Sequence, residues 1–187
     1  MSALDQFNRF KNWCYRKFDA PKIRRAKTEN LGEIDRLARK EFGDDASSLQ
    51  EIRRLYNLDN YIFWVVYTNS KRNLRGYLAL IPLTEGGEKA IKDQCFNGAN
   101  PAEEHMAIGE KKPAAIYIGA IYGDSFRAKG TAVAGLQSRL EGRHFYNVKK
   151  IYARAATQDG LRLLTGRGFQ PVIPTSAEVG AFFYADR

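Results

Sequence analysis

Apolar positions recur at helical spacing early in the chain and at strand spacing through most of the remainder. Leu4, Phe7, Cys14 and Phe18 form one stripe, widened by Phe10 and Trp13 and interspersed with Arg9, Lys11, Arg16 and Lys17. That spacing predicts a basic amphipathic helix over Leu4 to Phe18, which Pro21 stops. Ile23 to Ala26 predicts a short first strand. Asn30 is a candidate cap with Glu33 reaching back, and Ile34, Leu37, Ala38 and Glu41-Phe42 continue the helical spacing. Ser48 and Glu51 repeat the device ahead of Ile52, Leu55 and Tyr56. Two strands follow, Tyr61 to Thr68 and Gly76 to Leu83, joined through the polar stretch Asn69 to Arg75.

Thr84 to Lys112 is less regular, with a short helix expected over Glu88 to Cys95 and turn signals at Asn97-Gly98 and Asn100-Pro101. A connection of that length inside one domain either carries function or hides structure of its own. Ala115 to Tyr122 predicts a buried strand. A loop then carries Gly130 into a helix on which Val133, Leu136 and Leu140 share a face. Lys150 to Ala155 predicts a strand, Gly160 to Leu164 a short helix ending at Gly166 or Gly168, and Phe169 to Ile173 and Gly180 to Tyr184 closing strands. Early helices, dominant strands and a central strand-loop-helix predict an α/β (α+β) domain with a mixed sheet.

A length of 187 residues suits one domain with an appendage, divided here into an N-terminal helix over 1–20 and a domain over 21–187. No stretch reaches the roughly 20 apolar residues that cross a bilayer, and no signal-peptide pattern opens the chain. Cys14 and Cys95 fit no metal spacing and no disulfide framework, so a cytoplasmic location is expected without a bound metal. Thirty Lys and Arg against 21 Asp and Glu leave a formal +9. Nucleic acid, an anionic membrane surface or a phosphorylated ligand would each answer that charge.

The candidate chemistry lies in Arg127-Ala128-Lys129-Gly130-Thr131-Ala132, where a strand hands over to a helix. Amides at a helix N-terminus have no partner inside the helix, and the helix dipole adds partial positive charge. Phosphate oxygens are accepted there readily. Gly130 permits close approach, Thr131 and Ala132 are small, and Arg127 and Lys129 add charge. Neither the Gly-Lys-[Ser/Thr] phosphate loop nor the three-glycine dinucleotide fingerprint is present. An ordinary tight turn into a helix is the plainer reading.

Arg127-x-x-Gly130-x-Ala132 is similar to the [Gln/Arg]-x-x-Gly-x-[Gly/Ala] signature of the GNAT superfamily of CoA-dependent N-acetyltransferases. The stretch Thr157-Gln158-Asp159-Gly160-Leu161-Arg162-Leu163-Leu164-Thr165-Gly166-Arg167-Gly168-Phe169 resembles that family's Asn-x-x-Ala-x-x-Leu-Tyr-x-x-x-Gly-Phe. The order of elements from Ile23 to Phe169 agrees with it. The resemblance implies a mostly antiparallel mixed sheet flanked by helices, with the N-terminal helix as an addition. It implies an N-acyltransferase using acetyl-CoA or another acyl-CoA as co-substrate, whose amine acceptor attacks the thioester directly. It places pantetheine on the backbone of Ile121 and Tyr122, pyrophosphate on the amides from Lys129 to Ala132, and a further contact at Thr157.

Departures separate binding from catalysis. The family's frequent proton-donating tyrosine falls at Leu164, which cannot donate. The start of the fourth strand, Pro113-Ala114-Ala115-Ile116, lacks a carboxylate. Asp124, Glu103, Glu104 and His105 are candidate bases and Tyr117 and Tyr122 candidate acids, so no catalytic residue is assigned. A CoA-binding module without catalysis and a basic nucleic-acid-binding protein are the alternatives, although no nucleic-acid module accompanies the charge. The aromatic N-terminal helix is expected to pack on its own domain or on a symmetry mate in a homodimer, with attachment to an anionic membrane as the sharper option.

Overall fold

The computed structural model describes residues 20–68, 74–109, 112–142, 145, 148–175 and 177–186. The helix expected over Leu4 to Phe18, and most of the connection from Asn69 to Arg75, lie outside them. Seven strands form one sheet: β1 (Lys22–Arg25), β2 (Phe63–Tyr67), β3 (Leu74–Leu83), β4 (Ala115–Gly123), β5 (Lys150–Arg154), β6 (Gln170–Pro171) and β7 (Phe182–Asp186). Their order is β1-β2-β3-β4-β5-β7-β6. Only β4 and β5 run parallel.

Five α-helices among the described residues cover the sheet: α1 (Leu31–Phe42), α2 (Leu49–Leu58), α3 (Glu85–Lys92), α4 (Phe126–Leu140) and α5 (Gln158–Gly166). Side chains alternate across the strands, so each face has its own core. Tyr77, Ala79, Ile81 and Tyr117 pack with Ile34, Leu37, Ile52 and Leu55 of α1 and α2. Leu78, Leu80, Ile116 and Ile118 pack with Leu136 and Leu140 of α4 and Leu161 and Leu164 of α5. Cover on both faces explains why β3 reads as a continuous apolar run rather than an alternating one.

Several boundaries differ from expectation for local reasons. Ser48 caps α2 as expected, accepting from the Glu51 amide at 3.2 Å, but the Glu51 carboxylate holds Arg54 at 2.6 Å. Asn30 does not cap α1 with its side chain. Its oxygen accepts from the Lys27 amide at 2.9 Å, and Glu33 pairs with Arg36 at 2.6 Å. β2 starts after Ile62 because Asp59 accepts from the Tyr61 amide at 2.8 Å and folds that stretch into a turn. Thr84 caps α3 and starts it earlier than Glu88. The strand expected over Phe169 to Ile173 shrinks to Gln170–Pro171.

The long connection is structured and docked. Met106 bridges to Leu83, and the Tyr152 hydroxyl donates to Glu88 at 2.9 Å, tying α3 to β5. Burial alone would raise the Glu88 carboxyl. Hydrogen bonds from Lys92, Tyr152 and Lys150 outweigh it and hold the group below its usual range.

Candidate functional site

The sheet opens at its middle. β4 pairs with β5 only from Ala115 opposite Lys150 to Ile118 opposite Ala153. On its other side β4 stays paired with β3 to Gly123, with one irregularity: Ile118 faces Leu80 and Ala120 faces Ala79, leaving Gly119 unopposed. Such an extra residue bends a strand. β4 and β5 part beyond Ile118, and Gly119 is exposed although it sits in a central strand. From Gly119 to Gly123 the β5-facing edge of β4 has no strand partner among the described residues. Its amides and carbonyls remain available to an extended ligand.

α4 starts hard against this opening. A Cβ on Gly123 would lie 2.3 Å from the Lys129 amide nitrogen, so only glycine lets the first turn of α4 sit on the end of β4. Ser125 caps the helix, its oxygen accepting from the Ala128 amide at 3.3 Å, and the Lys129 amide donates to the Ser125 carbonyl at 2.8 Å. The expected loop is thus already helix, and the amides from Lys129 to Ala132 belong to the helical ladder. The amides at the very end of α4 are those of Phe126 and Arg127. The Ser125-x-x-Ala128 spacing was the signal for this earlier start, a plain N-cap without an acidic partner.

Two hollows meet at the opening. A groove of about 630 Å³ runs along the α4 and α5 side. Ile121, Tyr122, Lys129, Gly130 and Thr157 all line it. Arg127, Thr131 and Ala132 do not. Arg127 is exposed, the Thr131 hydroxyl donates to the Arg127 carbonyl at 2.9 Å, and Ala132 is fully buried against Val66, Ile23 and Ile121. Thr157 caps α5, accepting from the Gly160 amide at 3.1 Å, which leaves its hydroxyl proton free for a ligand. Leu164 is buried in the groove wall. The rim is basic, with Lys129, Arg162 and Arg167, although Asp159 lies 3.8 Å from Lys129 and 3.7 Å from Arg162. Phe126, 93% exposed, stands at the same rim.

The second hollow, about 400 Å³, lies on the α1 and α2 side. Phe42, Gly119, Ala120, Arg154 and Ala156 line both, which marks the passage between them. Its depth is apolar, and Asp44, Asp45 and Ser47 stand in its wall with Asn97 and Gly98 of the long connection. Tyr77 and Tyr117 line it as well, each no more than 4% exposed, and no hydrogen bond joins either hydroxyl to the described residues. Burial pushes the Tyr117 phenol up to about 12, against a smaller opposing pull from Arg154. It raises Tyr77 too, with Glu41 and Tyr122 adding to it. Both are proton donors at neutral pH.

The candidate bases are not gathered here. Asp124 pairs with Arg75 at 2.6 Å and Glu103 with Arg54 at 3.4 Å. The His105 ring packs on Phe96 at 6.0 Å, and Glu104 is exposed. None of the four lines either hollow. Of the candidate acids, Tyr117 lines the second hollow, whereas Tyr122 lines the groove and stacks at 6.1 Å on Tyr77. Arg154, Asp44, Asp45 and Phe42 had no motif to mark them. Among the described residues no group of three or more His, Cys, Asp or Glu could hold a metal, and no helix is long and apolar enough to cross a membrane.

No family model matches the sequence, and no curated protein matches it. Solved structures do. An acetyltransferase of the GNAT family from Staphylococcus aureus Mu50 superposes with a TM-score of 0.57 at 14% identity, over 89% of this chain and 99% of that one. Ard1 from Thermoplasma volcanium gives 0.58 at 13% identity, over 89% and 97%. The GNAT-family N-acetyltransferase YhbS from Escherichia coli, in complex with CoA, gives 0.52 at 15% identity, over 90% and 82%. The sheet order, the parted β4 and β5 and these superpositions agree: the chain has the fold of the GNAT N-acetyltransferase superfamily.

Proposed function

We propose that the protein is an acyl-CoA-dependent N-acyltransferase that moves an acyl group, acetyl in the simplest case, onto an amine. The observation that carries this reading is the parting of β4 from β5, with a basic groove on one side joined to a separate hollow on the other. CoA is a polyanion with an extended amide-bearing arm. The free edge of β4 at Ile121 and Tyr122 suits the arm, and the N-terminal end of α4 with Lys129, Arg162 and Arg167 suits the phosphates. The CoA complex of the E. coli neighbour supports the same ligand class.

In this reading the acceptor nitrogen attacks the thioester carbonyl carbon at the passage by Gly119 and Ala120. The carbon–sulfur bond breaks, and the proton that the nitrogen sheds passes through solvent to the departing thiolate, so that CoA leaves as the free thiol. The protein orients the two substrates and stabilises the developing charge. Tyr117, which lines the second hollow and is protonated at neutral pH, would donate a hydrogen bond or a proton there, a role that Leu164 cannot fill. A CoA-binding module without catalysis remains the second reading, favoured by Leu164. Thermal-shift titration with acetyl-CoA tests binding, because a ligand of the folded state raises the melting temperature. No shift sinks both readings. Thiol release from acetyl-CoA across an amine panel, expected for the enzyme, separates the two.

A further inference from the structure

The two hollows differ in charge as well as in shape. The groove sets Lys129, Arg162 and Arg167 against Glu41 and Asp159, whereas Asp44 and Asp45 stand in the wall of the second hollow. Both aspartates are exposed and neither makes an ion pair among the described residues, in a chain with thirty Lys and Arg. Half of the other described carboxylates do find ion-pair partners, among them Glu33, Asp35, Glu51, Glu88, Asp93 and Asp124. Deeper in, Tyr77 and Tyr117 present hydroxyls that no described group satisfies. Their rings are buried while the hydroxyls keep access to the hollow, where a ligand with a polar atom of its own would partner them. Arg154 stands at the passage, where its Nε donates to the Gly180 carbonyl at 2.8 Å and fixes the guanidinium.

Resting on the N-acyltransferase reading, we infer that the acceptor is a small amine with a second, cationic nitrogen, held by Asp44 and Asp45 while the attacking nitrogen lies by Arg154 and the tyrosine hydroxyls. The lining carries both signs. Its aspartates stabilise an ammonium, whereas Arg154 disfavours one and lowers the proton affinity of a nitrogen beside it. A nitrogen must be neutral to attack a thioester, and Asp124, Glu103, Glu104 and His105 line neither hollow, while Glu41 lines the groove side alone. The field of Arg154 supplies that neutrality, and the tyrosine oxygens accept the N–H bonds. Apolar walls from Phe42 and Ile52 suit the methylene stretch between the two nitrogens. A volume of about 400 Å³ lies at the small-ligand end of the usual pocket range of about 300–1,000 Å³.

The test is isothermal titration of the CoA-loaded protein with four probes: 1,5-diaminopentane, n-pentylamine, 6-aminohexanoate and a tetralysine peptide. The diamine is expected to bind at least about fivefold more tightly than n-pentylamine, as a partly shielded ion pair allows. In the variant carrying Asp44→Asn and Asp45→Asn the two are expected to bind alike, with an unchanged melting temperature showing that the variant is folded. Equal binding in the wild type, a preference that survives the substitutions, or no binding of any amine overturns the inference. Tighter binding of 6-aminohexanoate would overturn it in favour of Arg154 as a carboxylate anchor. Tighter binding of tetralysine would overturn it in favour of a protein acceptor. If CoA itself fails to bind, the N-acyltransferase reading falls, and the diamine preference measured on CoA-free protein still decides the acceptor site.

Discussion

The groove and the second hollow lie back to back across one opening in the sheet, yet they are made in different ways. The groove is built from backbone: a strand edge that loses its partner, a helix end, and glycines that let the two approach. The second hollow is built from side chains brought together from α1, the α1–α2 connection, β3, β4, the long connection after β3 and the turn before β7. A backbone site tolerates changes in many of its side chains but not in its glycines. A side-chain site fails one contact at a time. Substitutions that treat the two alike would break this distinction.

The largest effect is expected at Gly123. A valine there would drive its Cβ to within 2.3 Å of the Lys129 nitrogen and 2.6 Å of the Ala128 carbonyl carbon, both backbone atoms that cannot swing aside. α4 must lift from β4, at a cost of about 1–3 kcal/mol or more. Urea unfolding is expected to show that loss, and acetyl-CoA is expected to give no thermal shift. Wild-type stability and binding in Gly123→Val would show that the close approach does not shape the groove.

In the second hollow the corresponding probe is Tyr117, and its effect should depend on pH. Burial raises the phenol from 10.0 to about 12 in the folded state. Its contribution is therefore fully present below pH 10 and is lost as pH rises through 12, because the unfolded chain releases the proton first. The loss is about 2–3 kcal/mol. Tyr77 and Tyr152, also raised, add losses of the same sign. Tyr117→Phe should be nearly neutral in stability at pH 7, since no partner is left behind, and should fall less steeply than wild type between pH 10 and 12. Denaturant unfolding at pH 8, 10 and 12 checks this. Parallel curves would mean that the phenol is open to solvent.

The same contrast explains what the sequence could show. β4, α4 and the handover between them are local, so the Ile and Tyr run, Gly130 and the Thr157 to Phe169 stretch were enough to locate the groove. Even there the boundary moved, because Ser125 caps α4 without the acidic partner that would have announced it. The bulge at Gly119 depends on β3 as much as on β4, and nothing in Ile118-Gly119-Ala120 specifies it. The second hollow was barely legible. Asp44, Asp45, Tyr77 and Arg154 are far apart in the chain, and each alone reads as an ordinary surface or strand residue. The candidate bases failed for the complementary reason: a carboxylate in a functional-looking stretch finds the nearest arginine, as Asp124 does with Arg75.

A gentler probe of the groove is Gly130→Val. A Cβ at that position would meet nothing within 4 Å, unlike one at Gly123, so the domain should fold as before. Gly130 nevertheless lines the groove, and a side chain there would crowd a pyrophosphate seated on the end of α4. Acetyl-CoA affinity is expected to fall more than about tenfold at unchanged stability. Unchanged affinity would move the phosphates away from Gly130, toward the free amides of Phe126 and Arg127.

The smallest effect is expected at Asp159, and its sign is what matters. This carboxylate is 75% exposed and lies near both Lys129 and Arg162, so it offsets part of the positive charge that the rim turns toward a polyanion. Asp159→Asn removes that offset without touching the free edge of β4 or the first turn of α4. Acetyl-CoA is expected to bind about two- to threefold more tightly at low salt, and the gain should fade as ionic strength rises and the Debye length shrinks to about 8 Å near 0.15 M. The same substitution should leave amine binding in the second hollow unaltered, because Asp159 lines only the groove. A gain that persists in high salt would point to a steric cause. A loss of affinity would mean that Asp159 positions Lys129 and Arg162 rather than neutralising them, and the groove would then depend on side-chain contacts as the second hollow does.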